Sequence, residues 1–200
     1  MEEKRQHQRV RFNVQPLVRL GQMGHTGLGR LENLSFGGLM LRTDVSLKVG
    51  EVFGCEFSVV GSVLIDISAV VVGRVGDLFS ARFRSGPISE RLLKDEIARS
   101  LSSGKGSVLS MNTINGRRSM RVVGGLNACL SSDFMHGLTN VSVDEIDLSA
   151  TRDIDTVGAE LCRIAAQDYH VYIAPPPCRI SAEVAALTGW RSNTDGVLCG

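Results

Sequence analysis

Short apolar runs alternating with polar positions fill the first part of the chain. Val10, Phe12 and Val14 open the series, followed by Leu17 and Leu20, Leu28 to Leu34, and Leu39 to Leu41. Val52, Cys55, Phe57 and Val59 come next, then Val63 to Val75, and last Leu78, Phe79, Ala81 and Phe83. Gly21, Gly24, Gly50, Gly61 and Gly76, with Asp77, punctuate these runs. A period of two, dense β-branched residues and glycine turns at this spacing predict successive short strands in a sandwich or small barrel. The period changes at Pro87. Ile88, Leu92, Leu93, Ile97 and Leu101 recur at helical spacing, with charged residues on the other face, and Pro87 suits a first helical position.

Ser102-Ser103-Gly104-Lys105-Gly106-Ser107 has the composition of a linker. Strands and helices then alternate. Strands are expected at Val108–Ile114, Ser119–Val123, Val143–Leu148 and Val171–Ala174. Helices are expected at Ser132–Leu138, with Ser131 as a cap, at Thr156–Asp168, and at Ala182–Leu187 ending on Gly189. Such alternation implies a sheet with covering helices.

Charge separates the two halves. The 200 residues carry a formal charge of +1, but residues 1–105 hold 15 Lys/Arg against 11 Asp/Glu, and residues 106–200 hold 7 against 10. A basic first half suits a small anionic ligand, and the acidic second half does not invite nucleic acid. Five cysteines without C-x-x-C spacing indicate neither a disulfide framework nor a zinc site. No apolar stretch is long enough to span a bilayer, and the amino-terminal residues lack the apolar core of a secretory signal. A cytoplasmic protein is the simplest expectation. G-x-x-x-x-G-K-[ST], G-x-S-x-G and H-E-x-x-H are all missing, so enzyme chemistry finds little support.

Two polar motifs stand out against this background. Arg5 and Arg9 form an R-x-x-x-R pair on the amino-terminal arm. Asn33-Leu34-Ser35-Phe36-Gly37-Gly38 forms an N-x-S-x-x-G turn inside the strand series. Guanidinium forks meet phosphates or the O6/N7 edge of guanine in bidentate fashion, which lysine cannot do. Asn33 and Ser35 supply short polar groups that either bond a ligand or cap the turn, and the glycines permit close backbone approach. Together the motifs resemble the signature of PilZ domains, receptors for the bacterial second messenger cyclic di-GMP, over roughly residues 4–103.

The resemblance implies a six-stranded all-β barrel with a closing helix. It also implies that Arg5 and Arg9 clamp phosphates and guanine, while Asn33, Ser35 and Gly38 receive the guanine of the other side. Lys4 stands where the family varies between one ligand and an intercalated pair, and leaves that stoichiometry open. His7 and Arg11 are expected on the surface.

Val122-Val123-Gly124-Gly125-Leu126-Asn127-Ala128 and the run from Ile146 to Gly158, with the final Gly189-Trp190, resemble a STAS domain over about residues 107–192. That family includes anti-sigma-factor antagonists whose Asp-Ser-x-Gly element is phosphorylated on serine at the start of a partner-binding helix. The matching run here is Asp155-Thr156-Val157-Gly158, which makes Thr156 a candidate phosphoacceptor beside the plainer reading of Asp155 as a helix cap. The acidic group Asp144, Glu145, Asp147, Asp153 and Asp155 is expected to be a solvated strand end without a metal, and His136 and His170 stand alone.

The sequence therefore predicts two domains: a PilZ-like barrel at 1–103, a linker at 104–107, and an α/β STAS-like sheet with covering helices at 108–200. The expected function is a cyclic di-GMP receptor that couples ligand binding to a protein partner, with no cofactor, no nucleic acid and no membrane span. The alternative is a ligand-free scaffold acting only through protein contacts. Oligomeric state stays open, a homodimer included.

Overall fold

The computed structural model describes residues 8–174 except 62, 85 and 115. Two compact units divide the chain between Ser100 and Leu101. In the first, β1 (Arg11–Phe12) precedes six strands: β2 (Leu17–Gln22), β3 (His25–Ser35), β4 (Gly38–Thr43), β5 (Val52–Phe57), β6 (Ile65–Val75) and β7 (Leu78–Arg84). The six close into a barrel in the order β2-β3-β4-β7-β6-β5, and every pairing is antiparallel. This is the six-stranded antiparallel barrel that the resemblance implies.

Alternation explains the closure. Phe53, Cys55 and Phe57 of β5, Ile65, Ile67, Ala69 and Val71 of β6, and Phe79, Ala81 and Phe83 of β7 are buried, while their neighbours face outward. Gly21 is part of β2; the bend that follows uses Met23 (φ 48°) and Gly24 (φ 83°). Val14 stays outside any strand and is 83% exposed.

Helix α1 (Pro87–Ser102) begins on Pro87 and buries Leu93, Glu96, Ile97 and Ser100, one stripe at i, i+3, i+4 and i+7. Ile88, expected on that stripe, is 78% exposed. At ~100° per residue it lies about 140° around the helix from Leu93.

The second unit holds β8 (Gly106–Ile114), β9 (Arg117–Leu126), α2 (Ser131–His136), β10 (Glu145–Ile154), α3 (Thr156–Gln167) and β11 (Tyr172–Ala174). β8 pairs antiparallel with β9, whereas β10 runs parallel to both β9 and β11. Each parallel step is crossed by a helix, as such connections require. Met120, Val122, Leu126, Phe134, Ile146, Leu148, Leu161 and Ala165 form the core of this unit.

Three expectations change here. The stretch 104–107 is no solvated tether: Gly104 and Gly106 are buried, and Ser107 is fully buried in β8 beneath the Asn127 amide. Gly104 turns with φ +72°, where an added Cβ would meet Asp153 Cβ at 2.5 Å, so its glycine serves a packed turn. Ser131 does not cap α2, whose N-cap is Leu130; the capping side chain is Asn127, which accepts from Cys129 N–H and opens the preceding 3-10 turn (Ala128–Leu130). The segment after α2 continues as a π-helical turn (Gly137–Val141), so β10 starts at Glu145 and Val143 precedes it. The expected helix at Ala182–Leu187 and the Gly189-Trp190 pair lie outside the described residues.

Candidate functional site

Two irregularities in the barrel build a site on its outer face. In β3, Leu31 pairs with Leu41 and Asn33 pairs with Met40, so Glu32 is an extra residue that shifts the register. Without that bulge Asn33 would share the inward phase of Leu31. With it, Asn33 joins Met40 on the outer face and Ser35 follows opposite Gly38. In β6, Val71 pairs with Ala81 and Gly73 with Ser80, which leaves Val72 as a second bulge residue, half exposed.

The amino-terminal arm is pinned beside this face. Val10 exchanges two backbone hydrogen bonds with Leu34, at 2.7 and 2.9 Å, and buries its side chain. Alternation then turns Arg9 outward, alongside Ser35. Arg5 lies outside the described residues, as do Lys4 and His7.

Two cross-strand rows result. One runs Ser35–Gly38–Arg82–Val70, and the other runs Asn33–Met40–Ser80–Gly73. Between them is a groove of about 170 Å³ whose lining includes Arg9, Asn33, Ser35, Gly38, Met40 and Arg82. The structure thus brings Arg9, Asn33, Ser35 and Gly38 to one place. Arg82, Met40, Ser80 and Val72 join them, and no sequence motif marks these four. Strand pairing alone recruits them.

Local contacts set the geometry. Asn33 is 9% exposed, and its amide donates to Met40 Sδ at 3.1 Å. Arg9 Nη1 approaches the same sulfur at 3.3 Å. The Ser35 hydroxyl donates to the Gly38 carbonyl at 3.2 Å, closing the turn on itself. A Cβ added at Gly38 would sit 2.1 Å from the Ala81 carbonyl oxygen. Glycine is therefore demanded there by the approach of β4 to β7, independently of any ligand.

Electrostatics favour an anion. The groove's lining holds two guanidinium groups and no carboxylate. A second groove on the barrel, about 310 Å³, is lined by Arg30, Arg42, Asp44 and Asp77 among others, so its charges balance. Arg42 there is held by Glu32 and Asp77; the side-chain bond from Arg42 keeps the Asp77 carboxyl below its ordinary range.

Elsewhere, Asp155 caps α3 by accepting from Gly158 N–H at 2.8 Å, and Thr156 is the exposed first residue of the helix. Gly158 is fixed by packing, since a Cβ would meet the Leu126 carbonyl at 2.1 Å. Two members of the acidic group have arginine partners: Arg118 pairs with Asp144, and Arg121 with Asp147. Burial tends to raise the Asp147 carboxyl, but bonds from Ser149 and the charge of Arg121 leave it below the ordinary value. No group of three potential metal ligands occurs among the described residues, and no helix there is long and apolar enough to cross a membrane. Burial pushes the Cys55 and Cys162 thiols up to about 12, too high for thiolate chemistry.

Comparison with known proteins matches the PilZ domain family to residues 3–101. No curated protein matches the chain. Among solved structures, similarity extends to the PilZ domain with c-di-GMP of YcgR from Escherichia coli, at 20% identity and a TM-score of 0.41, covering 46% of this chain and 87% of that one. It extends also to the Bacillus subtilis inhibitor of motility (MotI/DgrA), at 18% identity and 0.41, covering 50% and 53%. The K. pneumonia MrkH–c-di-GMP complex follows at 17% and 0.43, covering 50% and 52%. The chain spans about half the length of MotI and MrkH.

Proposed function

With residues 3–101 a PilZ domain, we propose that the outer groove of the barrel binds cyclic di-GMP. Arg9, joined by Arg5 from the same arm, engages phosphate and guanine. Asn33 and Ser35 bond a guanine edge, and Gly38 keeps the strand pair close enough to shape the floor. The observation that carries this reading is the convergence of Arg9, Asn33, Ser35 and Gly38 on one carboxylate-free groove. PilZ domains are receptors and not catalysts, and the role here is that of a ligand-dependent adaptor.

The second unit acts as a STAS-like module that engages a protein partner, with the α3 face as the contact. Its support is the strand–helix alternation of β9 to β11 and the Asp155-capped helix start. Thr156, exposed at a helix N-terminus, is the phosphoacceptor of this module if one is used. Ligand ordering of the arm shifts a population in which that face is presented or masked.

Calorimetric titration of the full chain with cyclic di-GMP is the test, followed by hydrogen exchange with and without ligand. Saturable binding with altered exchange in α3 supports the coupled adaptor. Binding without that change leaves a receptor whose second unit works independently. A flat titration of folded protein favours the ligand-free scaffold.

A further inference from the structure

Arg82 stands across the groove from Arg9. It occupies the outward phase of β7, opposite Gly38 on one side and Val70 on the other. Its side chain is exposed, and no ion-pair partner for it occurs among the described residues. By contrast Arg42, on the outer face of the neighbouring strand, is fixed between two carboxylates. Counting strands, Arg9 beside β3 and Arg82 on β7 are separated by three spacings, roughly 14–15 Å of sheet. Gly38 between them carries no side chain, so both guanidiniums can lean over the same space.

The two ends of the groove differ in kind. Around Arg9 are the amide of Asn33 and the hydroxyl of Ser35. Around Arg82 is the half-exposed isopropyl of Val72, set outward by its bulge. An apolar shelf beside an arginine fork suits a purine lying flat with its edge toward the fork, and suits a solvated phosphate poorly. A guanidinium matches the two acceptors O6 and N7 of guanine. Adenine offers N7 with an N6 amino donor instead, which the fork repels.

We propose that Arg82 reads the O6/N7 edge of a purine resting on Val72, and so sets the preference of the groove for guanine over adenine cyclic dinucleotides. This rests on the cyclic dinucleotide reading of the groove. The two are separable by experiment.

The full chain is titrated with cyclic di-GMP and with cyclic di-AMP, as wild type, Arg82→Ala and Arg82→Lys. Wild type should prefer the guanine ligand. Arg82→Ala should weaken cyclic di-GMP binding by about 10- to 100-fold, change cyclic di-AMP binding far less, and so narrow the preference. Arg82→Lys should fail to restore it, since an ammonium has no fork. Equal loss for both ligands, or an unchanged affinity for cyclic di-GMP in Arg82→Ala, overturns the assignment while leaving the proposed function in place. A wild type that binds neither overturns both. The residue is exposed, so unchanged melting of both variants is expected and separates readout from folding.

Discussion

Arg9 and Asn33 aim N–H groups at one sulfur, at 3.3 and 3.1 Å from Met40 Sδ. A thioether is a weak acceptor. The Asn33 amide is more than nine-tenths buried, so a stronger acceptor brought by a ligand would improve its bonding. On the proposed reading, Met40 holds the place of the ligand's acceptor atom. Met40→Leu conserves volume, costing under about 1.5 kcal/mol, and removes the sulfur. Cyclic di-GMP should bind it at least as tightly as wild type in calorimetry; a large loss would mean that the sulfur itself contacts ligand.

Arg9 is the described member of the arginine pair and, on the proposed reading, carries the anion contact. Arg9→Ala should weaken cyclic di-GMP binding by about 10- to 100-fold, the equivalent of one bidentate pair. Arg9→Lys should recover little of this. Titrations at two salt concentrations check it, because the salt dependence should fall when a phosphate contact is lost.

Gly38→Ala is expected to act through folding. Its Cβ cannot share space with the Ala81 carbonyl, so β4 must move from β7. A destabilisation of about 1–3 kcal/mol in denaturant unfolding is predicted. An alanine variant as stable as wild type but unable to bind would instead make Gly38 a ligand contact only.

Arg42 ties the bulge residue Glu32 to Asp77 of the β6–β7 turn. The Asp77 carboxyl is lowered in the folded state, chiefly by its bond from Arg42. Its stabilising contribution is complete above the ordinary aspartate value of ~4 and disappears as pH falls through the lowered folded value. Melting temperature measured across this acid range should fall less steeply in Arg42→Met than in wild type. Parallel curves would show that the clamp adds nothing.

Asp155→Ala should cost about 0.5–2 kcal/mol by losing the bond to Gly158 N–H. Thr156→Ala, at an exposed position, should change thermal stability little. The reverse order would make Thr156 structural and weaken its case as a modification site.

Much of the barrel was legible because alternation is strict where one face is buried: β5, β6 as far as Val71, and β7 follow directly from it. What the sequence concealed are events that break a period. The bulge at Glu32 places Asn33 outward by a one-residue slip, which no local composition announces. Arg82 belongs to the groove only because β7 pairs with β4, a contact between segments distant in sequence. The Gly/Ser stretch at 104–107 misled for a related reason: small residues serve a packed turn and a buried strand start as well as a flexible tether. Asp155 was readable as a cap because capping is local chemistry.

Chemical-shift mapping of the 15N-labelled chain during a cyclic di-GMP titration tests the central claim most directly. The backbone amides of Asn33, Ser35, Gly38 and Arg82, and the side-chain amide of Asn33, should move together and saturate at one ligand concentration. Stationary signals at those positions, with shifts elsewhere or none at all, would contradict it.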